Sequence, residues 1–590
     1  MMGFGFSRLT FALLAAILFF HGFCNSQEDP YYRFVQHATS APTVSYYDYI
    51  IIGGGTSGCP LAATLSRNAS VLLIERGGSP YGNQNISNLA SFANTLSDYS
   101  PTSPAHHFVS EDGVRNARAR VLGGGSCLNA GFYTRADTEY VKEAGWDDKL
   151  VNQSYRWVEK VVANEPPMLQ WQSAVRDGLL EAGITPYNGF TYDHIYGTKV
   201  GGTIFDGRGH RHTAADLLKH ADPRRLTVLL RGTVHKITFR IKGKNLHHNN
   251  FSGKARPTAH GVIFRDESGV KHRAYLNKGS KNEIVLSAGA LGSPQLLMLS
   301  GVGPAEHLTF HKIRVVVDRP MVGQGMSDNP MNAIYVPSPS PVEVSLIQVV
   351  GITRFGTYIE AASGANFAAQ GSAIPRNFGM FSPQIGQLAT VPPKQRTPEA
   401  IAKAVEAMNA LSDEAFRGGF LLEKIMGPIS TGHLELRSRN PEHNPSVTFN
   451  YFKHPTDLKR CVDGINTIRK VIESRAFSRF RYPYISVGAL INMTANFPVN
   501  LLPRHDNDST SMEQFCKDTV MTIWHYHGGC QVGRVVDHDY RVLGVDALRV
   551  IDGSTFNYSP GTNPQATVMM LGRYMGVRML RERLTMEESS

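Results

Sequence analysis

The stretch YDYIIIGGGTSGCPLAATLSRNASVLLIE, residues 47–75, constrains the fold more than any other part of this 590-residue chain. Tyr47 to Ile52 reads as a strand. Gly53-Gly54-Gly55-Thr56-Ser57-Gly58 follows at once and fits G-x-G-x-x-G. Pro60 onward reads as a helix, with Leu61 and Leu65 on one face. Ser70 to Ile74 reads as a second strand ending at Glu75. Strand, glycine turn, helix, strand and acid within about 30 residues predict a βαβ unit that binds a dinucleotide. Gly53 permits the tight turn, Gly55 lets backbone approach a pyrophosphate, and Gly58 lets helix and strand pack closely. Thr56 and Ser57 sit at the helix start, where free N–H groups and the positive dipole end suit phosphate. Glu75, with Arg76 beside it, is placed to hold a ribose hydroxyl pair.

The chain is too long for one ordinary core, so two or more domains are expected. Its 42% apolar and 18% charged residues are those of a globular protein. The formal charge is +11. Lys and Arg are scattered, which excludes a nucleic-acid stripe and suits retention on an acidic matrix such as a cell wall. Arg8 and then LTFALLAAILFFHGF give the n- and h-regions of a signal peptide over residues 1–26, with Cys24 and Ser26 at the cleavage positions. Secretion is therefore expected, with no membrane span after cleavage. Sequons at Asn68, Asn85, Asn152, Asn250, Asn492, Asn507 and Asn557 agree with it. Cys59, Cys127 and Cys530 adjoin glycine-rich segments and read as small packed residues. Cys461 and Cys516 lie outside such segments and are free to pair in an oxidising compartment.

Two further glycine-rich segments follow. RARVLGGGSCLNAGFYTRA, residues 118–136, suits backbone lying against a flat ligand, with Val121, Gly124, Ser126 and Asn129 as candidate contacts. GALGSPQLLMLSGVGP, residues 289–304, reads as a structural helix with Ser293 as N-cap and Pro294 as its first residue. Near the C-terminus, TIWHYHGGCQVG places His525 and His527 between Trp524 and a glycine pair. A metal reading of this pair needs more ligands, and the nearest, Asp537, His538 and Asp539, form no metal signature. Leu548 to Ile551 reads as a strand, and Asp552-Gly553 as a turn. Asn563-Pro564-Gln565 opens a helix to about Leu584, with Asn563 as N-cap and Pro564 at the first position. Gly572 and Gly576 let that helix press against a neighbour.

Together these pieces resemble the glucose-methanol-choline oxidoreductase family, over roughly residues 46–585. The segments SYYDYIIIGGGTSGCPLAATLS, ARARVLGGGSCLNAGFY, NGFTYDH, VTFNYFKHPTDL, IWHYHGG and TNPQATVMMLGRYMG carry the likeness, which is strongest to the plant branch that includes the mandelonitrile lyases. The resemblance implies an α/β chain with a Rossmann-like FAD-binding domain, assembled discontinuously from residues 46–170, 215–330 and 520–585. A second, α+β substrate domain from residues 171–214 and 331–519 is implied, on a mostly antiparallel sheet. Leu128 stands where relatives bearing a covalent flavin carry histidine, so the FAD is expected to be non-covalent. His525 falls on the family's active-site base and Asn563 on its second catalytic position, while His527 packs beside the turn. Val234 falls on the adenine contact, and Trp524, Asp552, Gly553, Pro564 and Gln565 complete the expected cofactor set. A Cys461–Cys516 disulfide is implied as well.

The implied activity is oxidation of an alcohol to an aldehyde, with hydride passing to the flavin and the hydroxyl proton to His525. Its substrate would be a small or lipid alcohol, by the branch resemblance a long-chain ω-hydroxy fatty acid. The electron acceptor and the oligomeric state have no sequence signature. Cyanohydrin cleavage on the same scaffold is the alternative, although the lyases carry histidine where this chain has Asn563. A non-catalytic secreted flavoprotein is a third reading, and intact His525 and Asn563 argue against it.

Overall fold

The computed structural model describes residues 32–241, 256–363, 418–495 and 511–587. The signal segment and the sequons Asn250 and Asn507 lie outside them.

A six-stranded parallel sheet is built from four parts of the chain far apart in sequence. Its order is Val35–His37, Leu226–Leu230, Val71–Ile74, Tyr49–Ile52, Glu283–Leu286 and Leu548–Val550. Tyr49–Ile52 and Val71–Ile74 are buried at every residue, as a parallel strand covered on both faces requires. The sheet starts earlier than the expected residue 46, because Val35–His37 adds the outer strand beside Leu226–Leu230. The helix Gly58–Leu65 follows the glycine turn, as its sequence indicates. Against it lies the C-terminal helix Gln565–Glu587, whose Gly572 and Gly576 come so near that a Cβ on either would stand 2.2 Å from Ser57 O or 2.7 Å from Thr64 Cβ. This is the neighbour that the glycine spacing called for.

The second layer is a seven-stranded sheet ordered Met521–Thr522, Pro330–Val336, Gly419–Ile425, Thr357–Ser363, Val349–Ile352, Gly197–Val200 and Tyr187–Phe190. All its pairs are antiparallel except the last. Alternation along the strands divides its faces. Ile334, Ile359 and Leu421 pack on one side with residues of the helices Gln170–Glu181 and Pro455–Glu473. Met331, Tyr358, Ala362 and Leu422 face the other way, toward the parallel-sheet region. The sheet runs past the expected boundary at 519, since Met521–Thr522 pairs with its Pro330–Met331 edge.

Cys461 and Cys516 form a disulfide between the Pro455–Glu473 and Met512–Asp518 helices. Cys59, Cys127 and Cys530 are free and buried, as their small-residue surroundings indicate.

Two helix starts differ from expectation. The helix read as opening at Ser293 begins at Gly289 and carries Pro294 inside it. Asp552, just past the Leu548–Val550 strand, accepts the Gly289 N–H at 2.9 Å and the Ser293 hydroxyl at 2.5 Å. A distant carboxylate thus supports a start that the local sequence does not announce. At the other, Asn563 does not cap. Its Oδ1 has no hydrogen-bond partner, and the helix begins two residues later at Gln565.

Candidate active site

The strand order reverses direction between Tyr49–Ile52 and Glu283–Leu286, and ligands of open α/β sheets sit beyond the strand ends at such a point. A cavity of about 330 Å³ opens there, lined by Ile52, Glu75, Ser287 and Asp552, each at or just past a strand end. The glycines explain its floor. Gly53 has φ of +103°, and a Cβ on it would stand 2.4 Å from Ser287 O. Gly123 donates to Gly54 O at 2.7 Å, and a Cβ on Gly124 would stand 2.7 Å from Gly55 Cα. The two glycine-rich segments therefore lie backbone against backbone, which any side chain would prevent.

Most of the residues singled out in the sequence line this cavity: Gly53, Gly55, Thr56, Ser57, Glu75, Arg76, Val121, Gly124, Asn129 and Val234 from the first half of the chain. Trp524, His525, Asp552, Gly553, Asn563, Pro564 and Gln565 line it from the second half. Glu75 is buried and spends one oxygen on Gly54 N–H and the other on Gly77 N–H, so the carboxylate fixes the glycine turn while facing the cavity. Burial raises its pKa. Asn129 donates to Gln565 at 2.9 Å and joins the second glycine segment to the C-terminal helix start. Gly58 lies behind the cavity wall, where its Cβ would meet Gly53 O at 2.0 Å. Ser126 lies behind the lining of the cavity: its hydroxyl donates to Gly123 O and accepts from Ala214 N–H, so it braces the loop from inside. His527 also lines the cavity, with Nδ1 donating to His525 O at 2.9 Å. Asp539, weighed as a metal ligand, bonds Arg541 and Arg578 instead.

His525 sits on a strained loop. Trp524 before it has φ of +58°, a conformation that costs a bulky residue free energy. Asp328 compensates by accepting the His525 N–H at 3.0 Å and the Thr522 hydroxyl at 2.6 Å, and Thr522 in turn accepts the Trp524 N–H. The ring Nδ1 faces Asn329 and Tyr358. Nε2 has no partner among the described residues. Burial first, then the neighbouring Lys424 and His527, whose protonated forms would repel a second positive charge, hold the imidazole pKa well below its usual value. His525 is therefore neutral at ordinary pH, the form a base requires. Asp328, Asn329 and Tyr358 contact His525 and were not singled out in the sequence. They lie some 170 to 200 residues away in sequence.

A parallel sheet with a glycine-walled cavity at its switch point, a neutral histidine at one end and a second sheet above defines an α/β dinucleotide-cofactor oxidoreductase. The chain belongs to the GMC oxidoreductase family: models of that family match residues 47–331 and 428–572. It is 55% identical to Protein HOTHEAD of Arabidopsis thaliana over 92% of this chain and 89% of that protein. It is 40% identical to (R)-mandelonitrile lyase 1 of Prunus serotina over 94% of this chain and 90% of that one. A formate oxidase crystal structure superposes with a TM-score of 0.69 at 19% identity, covering 92% of this chain and 99% of the other, and shares the fold. The chain is an FAD-dependent oxidoreductase of the alcohol-oxidising kind.

The residues present fit FAD. Gly289 and Gly553 line the cavity, and a Cβ on either would meet nothing within 4 Å, so their backbone borders open ligand space. Asn563 Oδ1 and Trp524 Nε1 are buried without partners, as are Nε and Nη2 of Arg118. Buried polar atoms left unbonded in this way call for a polar ligand. Leu128 lines the same cavity and offers no atom for a covalent flavin bond.

Proposed function

We propose that this protein oxidises the terminal alcohol of a long-chain ω-hydroxy fatty acid to the aldehyde, with non-covalently bound FAD, His525 as the base and Asn563 holding the substrate oxygen. The observation that carries the substrate class is the apolar lining around the histidine. Phe92, Leu96, Leu128, Met331, Leu346, Ile347 and Leu422 border the cavity and belong to one buried cluster with Tyr358. Such a wall suits a methylene chain and rejects a polar one. The likeness to Protein HOTHEAD supports the same reading.

FAD, when bound, supplies the two-electron acceptor for hydride leaving the carbinol carbon. The rest is the chain's own work. His525 takes the hydroxyl proton at Nε2, within hydrogen-bond reach of an alcohol seated in the cavity. The Asn563 amide donates its N–H to the alcohol oxygen and holds it toward His525. The apolar wall excludes water, which keeps the imidazole neutral before substrate arrives. Secretion through the oxidising pathway is part of the proposal and is supported by the Cys461–Cys516 disulfide.

Chain-length dependence tests the substrate class. Each methylene buried against the wall contributes ~0.8 kcal/mol, so kcat/KM should rise about fourfold per CH₂ until the wall ends. A profile flat from short to long ω-hydroxy acids would remove the fatty-acid assignment. Cleavage of mandelonitrile by the same sample, without flavin reduction by any alcohol, would favour the lyase reading that the 40% identity suggests.

A further inference from the structure

We infer that Asn329 is a positioning residue that fixes the tautomer of His525, accepting a hydrogen bond from Nδ1–H so that the Nε2 lone pair faces the cavity. The inference rests on the reading of His525 as the base. Asn329 is fully buried, and its amide lies 3.2 Å from His525 Nδ1. The Tyr358 hydroxyl lies 3.3 Å from the same nitrogen.

A neutral imidazole carries one ring proton, so whichever nitrogen donates leaves the other as the base. Were Asn329 to donate its N–H to Nδ1, the proton would sit on Nε2, and the nitrogen facing the substrate could accept none. The base role of Nε2 requires the opposite arrangement. With Nδ2 turned to His525 Nδ1 and to Ser559 Oγ, Asn329 Oδ1 is buried and has no donor at all. The two ends of a carboxamide have the same outline and exchange by a half-turn about the last side-chain bond. That half-turn sets Oδ1 opposite Nδ1–H and gives the unbonded oxygen its donor, while Nδ2 gives up its bond to Ser559 Oγ, whose own hydroxyl donates to Gly561 O. The Tyr358 hydroxyl can then accept from the same N–H, since a hydroxyl oxygen has lone pairs to spare.

Apart from the Tyr358 hydroxyl, the other neighbours are engaged elsewhere. Asp328 is engaged with the His525 backbone N–H and with the Thr522 and Tyr451 hydroxyls. Lys424 is paired with Glu360 on the cavity face of the antiparallel sheet, and Glu423 points to the opposite face of the same strand. His527 spends Nδ1 on the His525 carbonyl. An uncharged acceptor also has a consequence that a carboxylate would not. It orients the ring without stabilising the imidazolium, so the base stays neutral until the substrate proton arrives.

The test is the pH profile of anaerobic flavin reduction, after His525→Ala has established the base. Asn329→Asp replaces the neutral acceptor by a charged one of the same shape. Its acid limb should move up by at least one pH unit, because a carboxylate on Nδ1–H stabilises the protonated ring. Asn329→Leu, with no acceptor, should lower the reduction rate at least tenfold at every pH while KM for the alcohol changes little. An Asn329→Asp profile superposable on that of the wild type would overturn the inference, even with His525 upheld as the base. Retained reduction in His525→Ala would instead overturn the base reading beneath it. Should both Asn329 variants fail to fold, the wild-type holoenzyme still decides. In [¹⁵N]histidine-labelled protein, with His525 assigned by its absence from His525→Gln, a pyridine-type Nδ1 signal contradicts the inference and a pyrrole-type one upholds it.

Discussion

Asp328 holds His525 by its backbone: the carboxylate Oδ1 accepts the His525 N–H at 3.0 Å, while Oδ2 accepts the Thr522 and Tyr451 hydroxyls. Burial raises this carboxyl from 3.8 to about 6, against the opposing pull of those donors. A raised carboxyl binds its proton more tightly in the folded chain. Its contribution to stability is therefore full below the unfolded value near 3.8 and is lost as the pH rises through about 6. Asp328→Asn keeps an acceptor for the His525 N–H and cannot ionise. Unfolding free energies measured from pH 4 to 7 should show the wild type losing on the order of 3 kcal/mol relative to Asp328→Asn. Parallel curves would show that Asp328 does not titrate in the folded protein.

His525→Ala should bind FAD with the visible spectrum of the wild type and reduce it about 10²- to 10⁴-fold more slowly. The glycine-walled part of the cavity does not depend on the imidazole, whereas proton removal does. Rapid-mixing absorbance measures both. An unchanged reduction rate contradicts the base assignment.

Gly58→Ala and Gly553→Ala should fail in different ways. A Cβ at Gly58 meets Gly53 O at 2.0 Å, so the turn must open and the chain should lose stability by several kcal/mol. A Cβ at Gly553 meets no protein atom within 4 Å and enters ligand space. Gly553→Ala should unfold like the wild type when stripped of FAD and bind FAD more weakly. Thermal unfolding of apo and loaded protein separates the two.

The Cys461–Cys516 bridge closes a loop of 55 residues and should stabilise the chain by about 4 kcal/mol on the loop-entropy estimate. Denaturant unfolding of Cys461→Ser/Cys516→Ser measures it. A thiol titration of unfolded, unreduced protein should leave both cysteines unreactive.

The sequence and the structure agree where a motif is local and its partners follow within a turn or two. The βαβ unit at 47–75 is of this kind, since continuous apolar strands, turn glycines and a terminal acid all act within one segment. The histidine and the cavity-lining asparagine were legible only through family resemblance, because a single His or Asn has no pattern of its own. Local rules misread residues whose partner is remote. Ser293 looks like an N-cap, yet its hydroxyl serves Asp552, 259 residues away. Asn563 has the ideal capping sequence, Asn-Pro, and leaves its Oδ1 unbonded instead. Ser126 sits in the right loop but turns its hydroxyl inward to Gly123 and Ala214. The Asp328–Asn329–Tyr358 support for the histidine exists only once two strands of the antiparallel sheet are laid beside the loop at 522–527, and no spacing encodes that.

The central claim is alcohol oxidation by the cavity that His525 and Asn563 share. Its most direct test is anaerobic mixing of the purified, FAD-loaded protein with a long-chain ω-hydroxy fatty acid, followed by the visible absorption of the flavin. The account predicts bleaching of the oxidised band, with formation of one equivalent of the ω-oxo acid. A flavin band that persists with this and every other alcohol tried, in protein that cleaves mandelonitrile, would contradict it.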